Sequence, residues 1–149
     1  MALVGKTVLV VDDSSDDRFL MERALRKLAS GLCVQFAASG DEAVAYLEGA
    51  GAYADRLRYP YPAFVITDLD MSQGDGFLVL HYVQVKALAQ TRVMMLTSSD
   101  EPEHRRRALN LGASSYCVKP QSANGLVPLI STFLLTAENG DGLDPMRRA

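Results

Sequence analysis

Cysteine is nearly absent from this chain: Cys33 and Cys117 are the only two among 149 residues, far apart and without a CxxC spacing. That pattern argues against a disulfide scaffold or a thiolate metal site and predicts reduced thiols buried in apolar runs. Strong charge of either sign is also lacking, since 18 acidic and 15 basic residues leave −3 at neutral pH. The one basic cluster, Arg105-Arg106-Arg107, is too short to build a nucleic-acid or anionic-membrane surface and reads as a solvated helix face. No apolar run approaches the ~20 residues of a membrane span, and the opening Met1–Lys6 stretch lacks the shape of a secretory signal. The expectation is a soluble, cytoplasmic protein that engages neither nucleic acid nor membrane. At 48% hydrophobic and 22% charged residues the chain is globular, and its length suits one domain with a real core.

What is present is a regular alternation. Lys6–Val11 is a β-branched run of the kind buried on both faces of a sheet. Ser14 is placed to cap a helix with Asp16 and Asp17 in its first turn, and Phe19, Leu20, Ala24, Leu25 and Leu28 recur at helical spacing. Strands are predicted over Leu32–Ala37, Phe64–Thr67, Val93–Leu96 and Tyr116–Val118. Helices are predicted from Asp41, over Phe77–Leu88, over Glu103–Leu111 up to Gly112, and from Ser122 to Leu135. Gly49–Pro62 is a long loop whose Tyr53, Tyr59 and Tyr61 either pack onto the body or form a partner patch. Residues 1–136 make the domain, and 137–149 read as a flexible C-terminal tail. Strands alternating with helices imply an α/β, doubly wound, five-stranded parallel sheet with helices on both faces.

Chemistry gathers after the strands. Strand one is followed by Asp12-Asp13, strand three by Asp68, strand four by Thr97 and strand five by Lys119, whereas strand two is followed by Ala37-Ala38-Ser39. In a flavodoxin-like order 2-1-3-4-5, strand two is the edge and the other four are contiguous, so every reactive type falls on the contiguous set. Converging carboxylates repel unless a cation intervenes, and hard oxygen donors without His or Cys suit Mg2+. A carboxylate is also a nucleophile toward phosphorus, and an ammonium and a hydroxyl beside it complete the charge stabilisation that such a transfer needs.

The segments "VLVVDDSSDDRFL", "VITDLDMSQGDGF", "VMMLTSSD" and "GASSYCVKP" together resemble the receiver domain of two-component response regulators over about Lys6–Leu135. Their order and spacing agree with that family, with 29 positions from Asp68 to Thr97 and 22 from Thr97 to Lys119. The resemblance implies that Asp68 is the phosphoacceptor. It implies that Asp13, Asp68 and the backbone carbonyl of Asp70 bind Mg2+, with Asp12 acting through water. Lys119 would pair with the phosphoryl group across a cis Lys119-Pro120 bond. Thr97 and Tyr116 would form a switch pair that turns inward on phosphorylation and alters the face of helix four, strand five and helix five. A histidine kinase or phosphotransfer protein would be the donor, and a downstream protein, or a second copy in a homodimer, would read the result. The protein would then be no enzyme beyond catalysing its own phosphorylation and dephosphorylation. With no output domain in the chain, it resembles the small stand-alone regulators of bacterial phytochrome-type histidine kinases. Two departures stand out: Ser72 replaces the family's usual proline, predicting a more mobile loop, and Asp70 adds a carboxylate two positions past the acceptor.

Competing readings exist for each piece. "DLDMS" also fits the nucleophile motif of haloacid-dehalogenase-type phosphatases, with Asp68 attacking and Asp70 as acid/base. In that family the nucleophile sits on the first strand and the metal-binding acids follow the lysine, whereas here Asp12-Asp13 comes first. Gly74-Asp75-Gly76 reads as turn geometry and capping. His81 and His104 show no metal-ligand spacing and read as structural or exposed.

Overall fold

The computed structural model describes residues 3–86 and 90–139. Five strands, β1 (Thr7–Val11), β2 (Cys33–Ala37), β3 (Phe64–Thr67), β4 (Arg92–Thr97) and β5 (Ser115–Val118), form one parallel sheet in the order β2-β1-β3-β4-β5. Between and after them run α1 (Ser15–Leu28), α2 (Gly40–Glu48), α3 (Gly76–Val85), α4 (Pro102–Asn110) and α5 (Leu126–Asn139). This is the doubly wound architecture that the alternation implied.

The strands read as unbroken apolar runs because the sheet is covered on both faces. Along β1, Val8 and Val10 point into one core with Met21, Leu25, Ile130 and Phe133 of α1 and α5. Leu9 and Val11 point into the other, with Ala43, Tyr46, Val79, Leu80 and Ala108 of α2, α3 and α4. The two-residue period of the strand therefore splits one sequence run between two cores. Within α1 the inward stripe is Met21, Ala24 and Leu25, while Phe19 lies outside it, exposed, with Arg23 over its ring.

Element ends follow local chemistry. Ser14 accepts the Asp17 N–H at the start of α1, Ser39 accepts the Glu42 N–H at α2, and Asp75 accepts the Leu78 N–H at α3. Helix three was predicted to reach Leu88, but its last helical residue is Val85 and Lys86 closes it; positions 87–89 lie outside the described residues. Helix five does not begin at Ser122. A 3-10 turn over Ala123–Gly125 precedes it, and Pro128 sits in its first turn, where its missing N–H leaves no gap. It continues past Leu135 to Asn139, so the predicted tail boundary at 137 falls inside the helix; 140–149 lie outside the described residues. Both cysteines are free but only half-buried, not deeply enclosed as predicted.

The Gly49–Pro62 loop is held by aromatic packing. Rings of Tyr46, Tyr53 and Tyr59 form a triangle with centroids 5.0 to 6.0 Å apart, and the Tyr46 hydroxyl donates to the Pro60 carbonyl at 2.7 Å. Burial pushes the Tyr46 phenol up to about 12, so it stays a donor throughout the physiological range. Arg56 lies between the Tyr46 and Tyr61 rings and donates to the carbonyls of Leu47 and Tyr59. Tyr53 and Tyr59 thus pack onto the body, and Tyr61 joins through Arg56 while staying 43% exposed. Replacing Arg56 with alanine removes two hydrogen bonds to carbonyls and two ring contacts. We expect Arg56→Ala to lower stability by about 1–3 kcal/mol in urea melts, with the midpoint moving and the m-value unchanged.

Candidate functional site

The sheet's own hydrogen bonds carry the reactive residues one step beyond the strand ends. The Asp12 N–H donates to the Ala37 carbonyl at 3.0 Å, the Asp68 N–H to Val11 at 2.9 Å and the Lys119 N–H to Thr97 at 2.7 Å. Each side chain thereby emerges from the carboxyl edge of the sheet on rigid backbone. The helices and loops that follow close around them.

Asp12, Asp13 and Asp68 each present an oxygen such that all three atoms lie within 4.8 Å of one another. Asp12 is almost fully buried, the Asp68 side chain is 12% exposed, and Asp13 is open to solvent. One Asp12 oxygen accepts the Ser14 N–H, and one Asp68 oxygen accepts the Leu69 N–H at 2.7 Å. The other oxygen of each faces Lys119. Its ammonium lies 2.9 Å from Asp12 Oδ2, 3.0 Å from Asp68 Oδ2 and 2.7 Å from Asp17 Oδ2.

Electrostatics follow from that crowding. Burial raises the Asp12 carboxyl above its ordinary value, opposed by its hydrogen bonds from Lys119 and Ser14, while the neighbouring Asp68 charge adds to the rise. For Lys119, burial alone would favour the neutral amine; hydrogen bonds to Asp17 and Asp12 and the Asp68 charge outweigh it and raise the pKa. The trio is made of carboxylate oxygens alone, one of them solvent-facing, and that donor set fits a hard divalent cation that keeps several waters.

Sequence reasoning missed Asp17. It was assigned to the helix dipole, yet its carboxylate is the nearest of Lys119's three partners. The signal was available: only three residues lie between the end of β1 and the start of α1, so its capped first turn must stand at the same sheet edge as Asp12. Ser99 was also overlooked. Its carbonyl accepts the Tyr116 hydroxyl at 2.8 Å, and its own hydroxyl lies 2.6 Å from His104 Nδ1.

The other predicted residues take definite places. Thr97 closes β4, 1% exposed. Tyr116, expected to turn inward, already lies wholly buried, with Arg105 stacked 5.3 Å from its ring centroid; burial raises its phenol pKa against the lowering effect of the Ser99 hydrogen bond. Arg107 sits 4.1 Å from the Phe77 ring centroid, so two members of the basic cluster stack on aromatic rings and do not simply face water. Asp70 is exposed, and its carboxylate stands outside the Asp12–Asp13–Asp68 trio. The loop bearing Ser72, predicted to be loose, is bridged to the α2 start by Gly40 N–H to the Gly74 carbonyl and Asp41 N–H to the Gln73 carbonyl. Gly76 is required there because a Cβ would stand 2.4 Å from the Asp68 carbonyl oxygen. The Lys119-Pro120 bond, expected cis, is trans, as are all described peptide bonds; the trans form is the lower-energy one by about 0.5–1 kcal/mol for a residue before proline.

Among the described residues no helix is long and apolar enough to cross a membrane. Comparison with known proteins accords with the fold. The chain is similar to the "Probable transcriptional regulator ycf27" of Cyanophora paradoxa, 30% identical over 93% of this chain and 52% of that protein. A gliding motility regulatory protein of Myxococcus xanthus is 37% identical over 75% of this chain and 13% of its own length. The chain thus spans about half, or much less, of the curated relatives it matches. Among solved structures, the phosphorylated cyanobacterial phytochrome response regulator RcpA superposes with a TM-score of 0.79 at 25% identity, covering 88% of this chain and 95% of that one. A response regulator in red light signaling of R. palustris gives 0.76 at 28% identity, covering 85% and 90%. The Mn2+-bound form of response regulator Rcp1 gives 0.76 at 26% identity, covering 87% and 94%. A family model described as response regulator receiver domain matches residues 8–131, and the chain belongs to that family.

Proposed function

We propose that this receiver domain takes a phosphoryl group onto Asp68 from a histidine kinase or a phosphotransfer protein and later hydrolyses the acyl phosphate itself. The observation that carries this reading is the meeting of Asp12, Asp13, Asp68 and Lys119 at one edge of the sheet, from three separate strands. In the transfer, a carboxylate oxygen of Asp68 attacks phosphorus in line as the bond from phosphorus to the donor's imidazole nitrogen breaks. The Leu69 N–H holds one Asp68 oxygen and leaves the other, now beside Lys119, as the attacking atom. Lys119 then offers its ammonium to the negative phosphoryl oxygens, and the Thr97 hydroxyl at the end of β4 supplies a neutral donor. Catalysis of this kind is mostly positioning. Asp12, Asp13 and Asp68, with the Asp70 carbonyl, are the residues that would hold Mg2+, which when bound neutralises charge on the transferring group.

The signal is read on α4, β5 and α5. Tyr116 joins that face to the site through the Ser99 carbonyl, two residues past Thr97, and Arg105 of α4 rests on its ring. A new dianion on Asp68 changes which arrangement of Thr97 and Ser99 is favoured. Partner choice follows to the extent that a downstream protein, or a second copy of the chain, binds the two arrangements differently.

Two outcomes are expected. Intact-mass measurement after incubation with acetyl phosphate and Mg2+ gains one phosphoryl group on the wild type and none on Asp68→Asn, whose thermal unfolding stays cooperative; phosphorylated Asp68→Asn would overturn the assignment. Mg2+ at 100 times its Kd should stabilise the fold by about 2.7 kcal/mol. Because the Asp12 pKa is raised in the folded state, that group's own stabilising contribution is full at acid pH and lost as pH rises through its folded value. The metal takes the ionised form, so its contribution runs the other way. Thermal shifts by Mg2+ should therefore shrink on acidification from neutral pH, and a shift that grew instead would contradict the site.

A further inference from the structure

Lys119 has three N–H donors, and three carboxylates occupy them. Two of those acceptors have other duties in the reading above, on which this inference rests: Asp12 belongs to the cation trio, and Asp68 takes the phosphoryl group. Asp17 has neither duty. Its side chain is 37% exposed, against 6% for Asp12 and 12% for Asp68, so it stands at the rim of the site with the most access to water of the three. It is also firmly mounted, because Ser14 caps the turn that carries it and Met21, Ala24 and Leu25 anchor the helix behind it.

A dication entering the trio meets an ammonium already bound to two of the same carboxylates. Like charges at that separation repel strongly, and the lysine must either yield those oxygens or weaken the metal. A third carboxylate outside the trio resolves the conflict by keeping the ammonium charge-compensated at the rim. We propose that Asp17 is a positioning residue that retains Lys119 at the site while Asp12 and Asp68 turn to the cation and the phosphoryl group. Without it, Lys119 competes with the cation for those two carboxylates, or leaves for solvent and is absent when the phosphoryl oxygens arrive.

The rival explanation is that Asp17 serves only the start of α1, where any acidic residue favours the helix dipole. Asp16 stands in the same turn, is exposed and has no part in the site, so Asp16→Asn reproduces the dipole and net-charge change alone. The test is an NMR titration of the full chain with Mg2+, following amides around Asp12 and the ζ-ammonium resonance of Lys119. Asp17→Asn should weaken Mg2+ binding about fivefold, the size expected for one partly exposed ion pair, and should broaden the Lys119 ammonium signal beyond detection when Mg2+ saturates. Asp16→Asn should stay within about twofold of wild type, and Asp17→Glu, which keeps a carboxylate, should restore most of the affinity. In a Lys119→Met background the Asp17→Asn loss should fall below about twofold, because the conflict is gone. Equal affinity and an equally sharp ammonium signal in wild type and Asp17→Asn would overturn the role of Asp17 and leave the metal site standing. A wild type that binds no Mg2+ would remove the site and this inference together.

Discussion

One ammonium among crowded carboxylates is the interaction on which the rest depends. Parallel strands deliver Asp12, Asp13 and Asp68 to the same edge of the sheet whether or not their charges agree, and α1 adds Asp17. Lys119 makes that arrangement tolerable in the absence of metal by touching three of the four. The compensation is partial: Asp12 remains harder to ionise than an ordinary aspartate. Crowded acidic charge of this kind is what a cation would relieve, and it is set by the edge of the sheet rather than by a long loop.

Rigidity comes from the ladder. Because the backbone N–H groups of Asp12, Asp68 and Lys119 remain bonded to neighbouring strands, these three residues are mounted on the same ladder as the core that covers both faces of the sheet. The face built by α4 and β5 is different in kind. Ser99 connects Tyr116, His104 and the end of β4 through one residue's carbonyl and hydroxyl, and Arg105 and Arg107 lay their guanidinium groups on Tyr116 and Phe77. Those contacts tie the nine-residue α4 to β5 through Tyr116 and to α3 through Phe77.

Much of this was legible before any coordinates, for a physical reason. Two-sided burial writes a strand as an apolar run, and the first polar residue after it marks the sheet edge, so Asp12, Asp68, Thr97 and Lys119 announced themselves. Asp17 and Ser99 did not: Asp17 was legible only through the shortness of the β1–α1 connection, and the role of Ser99 depends on where a loop carbonyl points, which residue type does not encode. The partner of the Tyr116 hydroxyl was hidden for the same reason, since residue type does not say that the Ser99 carbonyl will meet it. Phe19 misled in the opposite sense, being apolar and at a plausible helical position yet on the outer face of α1.

The tyrosine triangle and Arg56 lie on the segment through which the chain passes from α2 to the amino end of β3. The segment they fasten is the longest connection among the described residues, and it is stapled to both ends of α2, to Tyr46 and the Leu47 carbonyl near the end of the helix and, through the Tyr53 hydroxyl, to Glu42 in the first turn. A change that loosened the staple would therefore be felt first along the whole of α2, and only through that helix by the acidic residues that follow β1 and β3.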